Sequence, residues 1–541
     1  MKKGFTLIEL LAVIIILAVI ALIATPIVLN VVDSAKESAR KSSIAGFADA
    51  MKLGVSDYMF QNSGDLPTID EAFQKEYNSK GESVICEGVY STDSYGIVLH
   101  NCKVGTNTTN YCFAKGNHYA CDDTTYNSML EYAKNGVKPN TSYQDKSGAN
   151  TPELLDNMIP VKYEDNNWIY ADINQEWYDY DKKEWANAVI LKSEVTKTAG
   201  QTITEDDIAL WYVWIPRYKY TIFNGNNGSV AEQVINVTFE SGTAKTGTVT
   251  CTTSTNGTGT PSSSETCIDS TNGSIVNGTS TYTHPAFTFG NKELTGIWVG
   301  KFENSGTIDN ITIIPNVSSL RSTSVSAFFT AIQNVKTAYG ISNGDSHMIK
   351  NMEWGAVAYL KQSKYGLGTT DIGINNNSSY ITGCGASAGS ASSSTCDAYN
   401  TINGMKASTT GNIYGIYDMS GGAYEYVMGN EVNSNNAFYS SNAGFSSTPD
   451  SKYYDSYTYD DSIASHGRGK LGDATKETLA TFGNTSGGWN NDYTHFITSN
   501  YSWFIRGGSH NNGNTAGVFH FYYIGGGGFS SYGSRSVLVL E

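Results

Sequence analysis

Glu9 is the first residue of this chain that calls for a chemical explanation. It stands inside an apolar run, Leu7 to Val32, relieved otherwise only by Thr25, Pro26 and Asn30. An ionised carboxylate there costs on the order of several kcal/mol unless a partner neutralises it. Ahead of it, Gly4-Phe5 follows a start of Met1-Lys2-Lys3. A cut after Gly4 supplies the partner, because it frees an amine on Phe5 and makes Glu9 the fifth residue of the new chain. In a bundle of such helices, Glu9 of one copy pairs with the Phe5 amine of its neighbour and sets the stagger. The run is about 23 residues at about 1.5 Å each, enough to cross a hydrocarbon core of roughly 30 Å. A cleaved secretory signal has an apolar stretch of only about 7–15 residues and no acid. A plain anchor has no use for Glu9.

Few other residues have the types and spacing of chemistry. Gly385-Ala-Ser387-Ala-Gly389 matches the nucleophile-elbow pattern, yet it lies in a Ser/Gly/Ala stretch and not between a strand and a helix. No P-loop or H-E-x-x-H pair occurs, and the 8 histidines are scattered. Glu425 and Arg506 are expected to act structurally, each as a buried partner for a backbone group or in an ion pair. No catalytic or metal-ligating residue is assigned. The 8 cysteines, in a chain that is exported, read as disulfides. Cys86 with Cys102, Cys112 with Cys121, Cys251 with Cys267 and Cys384 with Cys396 are the simplest local pairings, although the connectivity stays open. A zinc knuckle would need a two-residue spacing that the first four cysteines lack.

Composition narrows the class. The chain has 541 residues, only 16% of them charged, with 55 Gly and 36 Tyr, which suits a β-rich, loop-rich extracellular protein of several domains. Its formal charge of −16 argues against nucleic acid as a partner, since that binding rests on clustered Lys and Arg.

The elements that would position these residues can be read in order. A helix is expected over 5–62, with 5–32 in the membrane or filament core and 33–62 amphipathic. Its buried stripe is Ile44, Phe47, Ala48, Met51, Val55, Tyr58 and Met59. Asn62 to Asp65 would end it. A small disulfide module spans 63–148, with short strands at Ser83 to Cys86 and Tyr95 to Leu99. The polar stretch Lys146 to Pro152 reads as a linker. The remainder, 149–541, is one large domain of aromatic segments, among them Trp185 to Ile190, Leu210 to Pro216, Gly296 to Glu303, Met348 to Tyr359, Ile413 to Val427 and Trp503 onward. The Ser/Thr/Gly/Asn-rich stretches 223–283, 364–411 and 430–500 are expected to bury little. The fold class is α+β.

The tail is different in kind. Between Arg506-Gly-Gly and the closing strand Ser536 to Leu540, residues 509–533 are mostly Tyr, Ser, Gly, Asn and His, the residues that antibody paratopes favour. Four glycines, 525–528, beside Tyr522, Tyr523 and Phe529 give no side chain to a packed strand. The bland alternative is a loose tail that merely completes the fold.

Three resemblances follow from these motifs. Gly4, Phe5, Thr6-Leu7-Ile8, Glu9 and Pro26 resemble the type IV pilin and pseudopilin N-terminus. That implies a prepilin peptidase that cuts after Gly4 and methylates Phe5, with Glu9 and Pro26 serving assembly with other pilin subunits. Asn351 to Tyr359, Gly411 to Tyr426 and Arg506 to Ser509 resemble the formylglycine-generating-enzyme-like branch of the C-type lectin fold. This chain has Gly422 where relatives often carry Asn, and Tyr424 and Tyr426 where they carry Trp, so calcium is unsupported. The enzyme of that family implies two late copper-binding cysteines, whereas Cys396 is the last cysteine here; no cofactor and no enzymatic activity are expected. The tail motifs Arg506-Gly-Gly, Ala516-Gly-Val-Phe519 and Ser534-Arg535-Ser-Val-Leu538 resemble retroelement-diversified variable proteins, which usually carry Phe where Ser534 stands. By that resemblance the ligand-facing positions are His510, Asn511, Asn512, Asn514, His520, Tyr522, Tyr523, Ile524, Phe529, Ser531 and Tyr532.

The expectation is a pilin-like subunit, minor or at a tip, that waits in the bacterial cytoplasmic membrane and then enters a surface filament. It would display a ligand-binding head for a protein or glycan. The alternatives are a structural pseudopilin of a secretion or competence system without a ligand, and a residual formylglycine-type enzyme.

Overall fold

The structure is a computed structural model. It describes the chain apart from residues 1–6, 62–66, 68, 78–82, 93–95, 136–142, 193–198, 223–231, 246–248, 253–265, 270–272, 276–280, 434, 436, 440 and 482–486. Gly4, Phe5 and the helix end expected at Asn62 to Asp65 lie outside the described residues, as do the side chains of Glu9, Pro26, Met59, Cys251 and Cys267. The chain divides into two compact units, 1–141 and 142–541.

The first unit is organised by α1, Leu7–Gln61. Its later half carries Ile44, Phe47, Ala48, Met51 and Val55 into a core shared with Val84, Leu99 and Phe113, as the three- and four-residue spacing requires. Tyr58 differs. It is 37% exposed beside the short helix α2, Glu71–Tyr77, whose Phe73 meets its ring at 6.4 Å. Strands β1 (Val84–Thr92), β2 (Gly96–Val104), β3 (Tyr111–Ala114) and β4 (Asn117–Tyr119) form an antiparallel sheet in that order. Helix α3, Thr124–Asn135, follows. Cys86 stands opposite Cys102 in the β1–β2 register and is bonded to it, and Cys112 is bonded to Cys121. Among the described residues, no helix is long and apolar enough to cross a membrane.

The second unit contains, in chain order, β5 (Ile159–Glu164), β6 (Asn167–Tyr170), β7 (Asn187–Leu191), β8 (Ile208–Pro216), β9 (Gly296–Gly300), α4 (Val325–Ala338), β10 (Gly344–Met348) and α5 (Asn351–Lys361). The later elements are β11 (Tyr424–Glu431), β12 (Asp455–Tyr457), β13 (Trp503–Gly507), β14 (Gly517–Ile524), β15 (Tyr532–Ser534) and β16 (Ser536–Leu540). A seven-stranded sheet runs β10-β16-β9-β8-β7-β5-β6, antiparallel throughout, so the last strand closes inside the sheet, between β10 and β9, and not at its edge. Every residue of β8 is buried, which explains its unbroken apolar sequence. A second sheet runs β12-β11-β13-β14, with β15 parallel to β11. Helix α5 is buried on all sides, and the Glu353 carboxylate caps it by accepting from the backbone N–H of Lys350 at 2.8 Å.

Two expectations about irregular chain need correction. The stretch 146–152 is no linker, since the second unit already begins at Ser142. Its polar side chains hold it down: Asp145 accepts from the Tyr180 N–H at 2.7 Å, and the Asn150 amide donates to the Thr295 carbonyl at 2.8 Å and accepts from Gly242 at 2.7 Å. The stretches 364–411 and 430–500 do not bury little, for Ile374, Tyr399, Tyr457, Trp489 and Phe496 are all buried. Side-chain acceptors there do the work of a ladder. Asp418 accepts from the Gly383 N–H at 2.9 Å and from the Asn375 amide at 2.8 Å. Cys384 and Cys396 are bonded within the first of these stretches. In 223–283, strand Val249–Thr252 pairs with Thr266–Asp269 and sets Cys251 opposite Cys267.

Candidate ligand-binding surface

β13 and β14 carry the site. Their register sets Phe504 opposite Tyr523 and Ile505 opposite Tyr522. Val518, Phe519 and Phe521 are buried, and the strand emerges at Tyr522, Tyr523 and Ile524, which are half-buried. The Tyr522 and Tyr523 rings stack with centroids 4.6 Å apart and planes 20° apart. His495 stacks on both, at 5.1 and 5.5 Å. Tyr493 lies 4.5 Å from His495 and 5.8 Å from Tyr522, and Tyr501, 48% exposed, tilts against Tyr523 at 5.2 Å.

A second group forms around Tyr424 at the start of β11. Its ring meets Tyr532 edge-on at 5.5 Å, and Tyr532 meets the exposed Phe529 at 5.1 Å. His520 joins the two groups, 5.8 Å from Tyr424 and 6.2 Å from Tyr493. At the margin, His510 meets Tyr380 edge-on at 4.7 Å and hydrogen-bonds the Ser392 hydroxyl at 2.8 Å. The Arg321 guanidinium covers Tyr380 at 4.0 Å.

The remaining positions expected to face a ligand fall as follows. Asn511 and Asn514 are exposed. Asn512 is half-buried and turned inward, its side chain accepting from the Ser509 N–H at 2.7 Å. The Ser531 carbonyl accepts from the Tyr424 N–H at 2.9 Å. His520 is a correction. It is 1% exposed, because its Nδ1 donates to the Thr515 carbonyl at 2.7 Å and draws the ring beneath the surface. Burial pushes its pKa down to about 4, so the ring is neutral. The glycine run is not a loose tail either. Gly526 has φ +82°, and a Cβ there would lie 2.7 Å from the Trp503 ring; the Tyr426 hydroxyl donates to the Gly527 carbonyl at 2.6 Å.

Tyr424, Tyr493, His495, Tyr501, Tyr380 and Arg321 lie outside the tail, and the sequence reading gave them no place in the site. The alternation Tyr493-Thr-His495 next to Tyr501 was the available signal, obscured by the polar stretch around it. Ser387 is exposed in a turn, and its hydroxyl accepts from the Lys406 ammonium at 3.4 Å. Arg506 is buried and donates to Asn351 Oδ1 at 3.1 Å and to the Ala474 carbonyl at 3.0 Å. Glu303 holds the start of β11 by accepting from the Ala423 N–H at 2.8 Å, and burial beside Asp418 and Glu425 pushes its carboxyl well above the usual range. The arrangement offers aromatic faces and neutral polar tips on a rigid sheet, which is equipment for binding.

No curated protein matches the chain. The family model described as the prokaryotic N-terminal methylation motif matches residues 1–25, a stretch that includes Gly4, Phe5 and Glu9. The chain therefore has a type IV pilin-like N-terminus, of the kind processed by a prepilin peptidase and assembled with other pilin subunits.

Proposed function

We propose that the chain is a pilin-like surface subunit whose second unit is a receptor head that binds its ligand through residues 509–533 and the tyrosines beside them. The observation that carries this reading is the half-exposed stack of Tyr522 and Tyr523 on a buried sheet. Tyrosine supplies stiff contact area with a polar tip, and such anchors dominate the energy of recognition. The head is read as a C-type-lectin-like fold of the formylglycine-generating-enzyme branch, acting without cofactor or catalysis, with tail positions exchangeable as in retroelement-diversified proteins. A unit spanning residues 142–541 on every subunit would crowd a filament, so a tip position or low occupancy fits best.

The test replaces Tyr522 and Tyr523 with Ala in the full chain and measures binding to target cells alongside the unfolding curve. Lost binding with unchanged unfolding supports the reading. Unchanged binding removes the surface. The methylation motif alone also fits a structural pseudopilin without a ligand, and such a protein would recover no surface partner in pull-downs with the mature chain.

A further inference from the structure

We propose that the ligand of this surface is an uncharged glycan, held by sugar faces laid against the tyrosine rings. This rests on the reading of the surface as a binding site and adds the chemical class of what it binds.

The first argument is charge. The groups that form the surface are Tyr424, Tyr493, Tyr501, Tyr522, Tyr523 and Tyr532, with Asn511 and Asn514 exposed beside them. The histidines under them are neutral, since burial pulls His495 down as it does His520. The charged groups nearby are already committed. Asp492 is buried, accepts from the Phe519 N–H at 2.8 Å through Oδ2, and is pushed by that burial well above the usual carboxylate range, toward the neutral form. Arg321 covers Tyr380 and donates to the Ser530 carbonyl. Asp461 accepts from the hydroxyls of Tyr459, at 2.7 Å, and of Ser499. A partner that brought its own charges here would bury them without counterparts, which is costly.

The second argument is shape and polarity. Among the described residues, the hydroxyls of Tyr493, Tyr501 and Tyr532 have no hydrogen-bond partner in the chain, which leaves phenol donors and acceptors around aromatic faces. A pyranose matches that pattern: its C–H bonds carry slight positive charge toward the negative ring face, and its hydroxyls reach the phenol and amide tips. Neither described cavity is lined by these tyrosines; the larger, about 530 Å³, lies elsewhere between Phe329 and Phe445. A small molecule wants enclosure; a row of sugar rings does not.

The experiment uses the mature full-length chain in detergent against immobilised neutral, sialylated and sulfated oligosaccharides. Neutral glycans are expected to bind at least about tenfold more tightly than the acidic ones, with little change between low and high salt. Tyr501→Ala, at an exposed position that leaves the fold alone, should lower that binding about tenfold. Preference for acidic glycans, or binding that fades with salt, overturns the proposal. Target-cell binding separates its failure from that of the surface itself. If protease treatment of the cells, and not glycosidase, abolishes binding that still depends on Tyr522 and Tyr523, the partner is a protein and the glycan assignment fails alone. If those tyrosines do not matter, both fail.

Discussion

Arg535 and Glu425 form a two-pronged ion pair in which neither side chain is exposed. Arg535 Nε donates to Glu425 Oε2 at 2.9 Å and Nη2 donates to Oε1; the guanidinium also donates to the carbonyls of Gly300 at 2.7 Å and Tyr417 at 2.9 Å. The pair thus joins the residue ahead of β16 to the strand that presents Tyr424, linking the closing strand to the binding surface. Burial pushes the Glu425 carboxyl up to about 7 against the pull of the arginine. Arg535→Met leaves a buried carboxylate unpaired and is expected to cost about 3–5 kcal/mol in denaturant unfolding of the full chain. Adding Glu425→Gln should recover part of that loss, since the stranded charge is then gone.

His520 makes stability depend on pH. Its folded pKa of about 4 lies below the ordinary 6.5. Between those values the unfolded chain binds a proton that the native ring does not, so stability rises with pH across the window and is lost as pH falls from about 6.5 to about 4. The full difference for one such group is about 3 kcal/mol. Asp371 and Glu431, raised by burial to about 6 and about 7, work in the opposite sense, because they hold protons in the native state that the unfolded chain releases. The clean measurement is therefore the wild type minus His520→Gln, followed by chemical unfolding from pH 4 to 7. The variant should show the shallower rise.

These two groups also mark what the sequence could and could not convey. The strand at Ser536–Leu540 and the ordered segment Leu210 to Pro216, which falls in β8, were legible, because local apolar pattern and length suffice for them. So was the α1 stripe through Met51 and Val55; the cysteine connectivity, open in the sequence, is fixed by the structure as Cys86 with Cys102, Cys112 with Cys121 and Cys384 with Cys396. The buried polar chain in 364–411 and 430–500 was not. Its order comes from partners far away in sequence, as when Asn351 donates to the Tyr457 hydroxyl at 2.6 Å and that hydroxyl donates to Asp473 at 2.9 Å. A Ser/Thr/Asn-rich stretch looks the same whether or not such partners exist. The same blindness left Tyr493 and His495 out of the site and put His520 on its surface.

The Cys384–Cys396 bond closes a loop with a sequence separation of 12. That loop carries Ser392, which holds His510 at the margin of the surface. Replacing both cysteines with Ser should lower stability by about 3 kcal/mol. It should also weaken ligand binding more than Tyr459→Ala, a control at an exposed residue outside the surface. Unfolding and binding measured on the same preparations check both.

Among the described residues Lys301 has no carboxylate partner; it is fully buried, and burial pulls its pKa well down. What holds it is a cage. The ammonium donates to Asn187 Oδ1 at 2.8 Å and to the carbonyls of Ile413 at 2.7 Å and Gly415 at 3.1 Å, while the rings of Trp168, Trp211 and Tyr417 stand 5.1, 5.3 and 5.4 Å away. Met fills the space yet leaves the Ile413 and Gly415 carbonyls without that donor, each worth about 1–3 kcal/mol when buried, while Asn187 Oδ1 keeps the Trp211 indole N–H at 2.9 Å. Lys301→Met should therefore destabilise by at least about 2 kcal/mol. Arg is no remedy, since its planar head is larger than the closed cage admits. Tyr417 connects this cage to the first ion pair: its ring faces Lys301, its N–H donates to the Lys301 carbonyl at 2.8 Å, and its own carbonyl accepts from Arg535. The two substitutions should consequently not add. A double-mutant cycle of Lys301→Met with Arg535→Met is expected to show a coupling of about 0.5–3 kcal/mol, and strict additivity would mean that Tyr417 does not transmit between them.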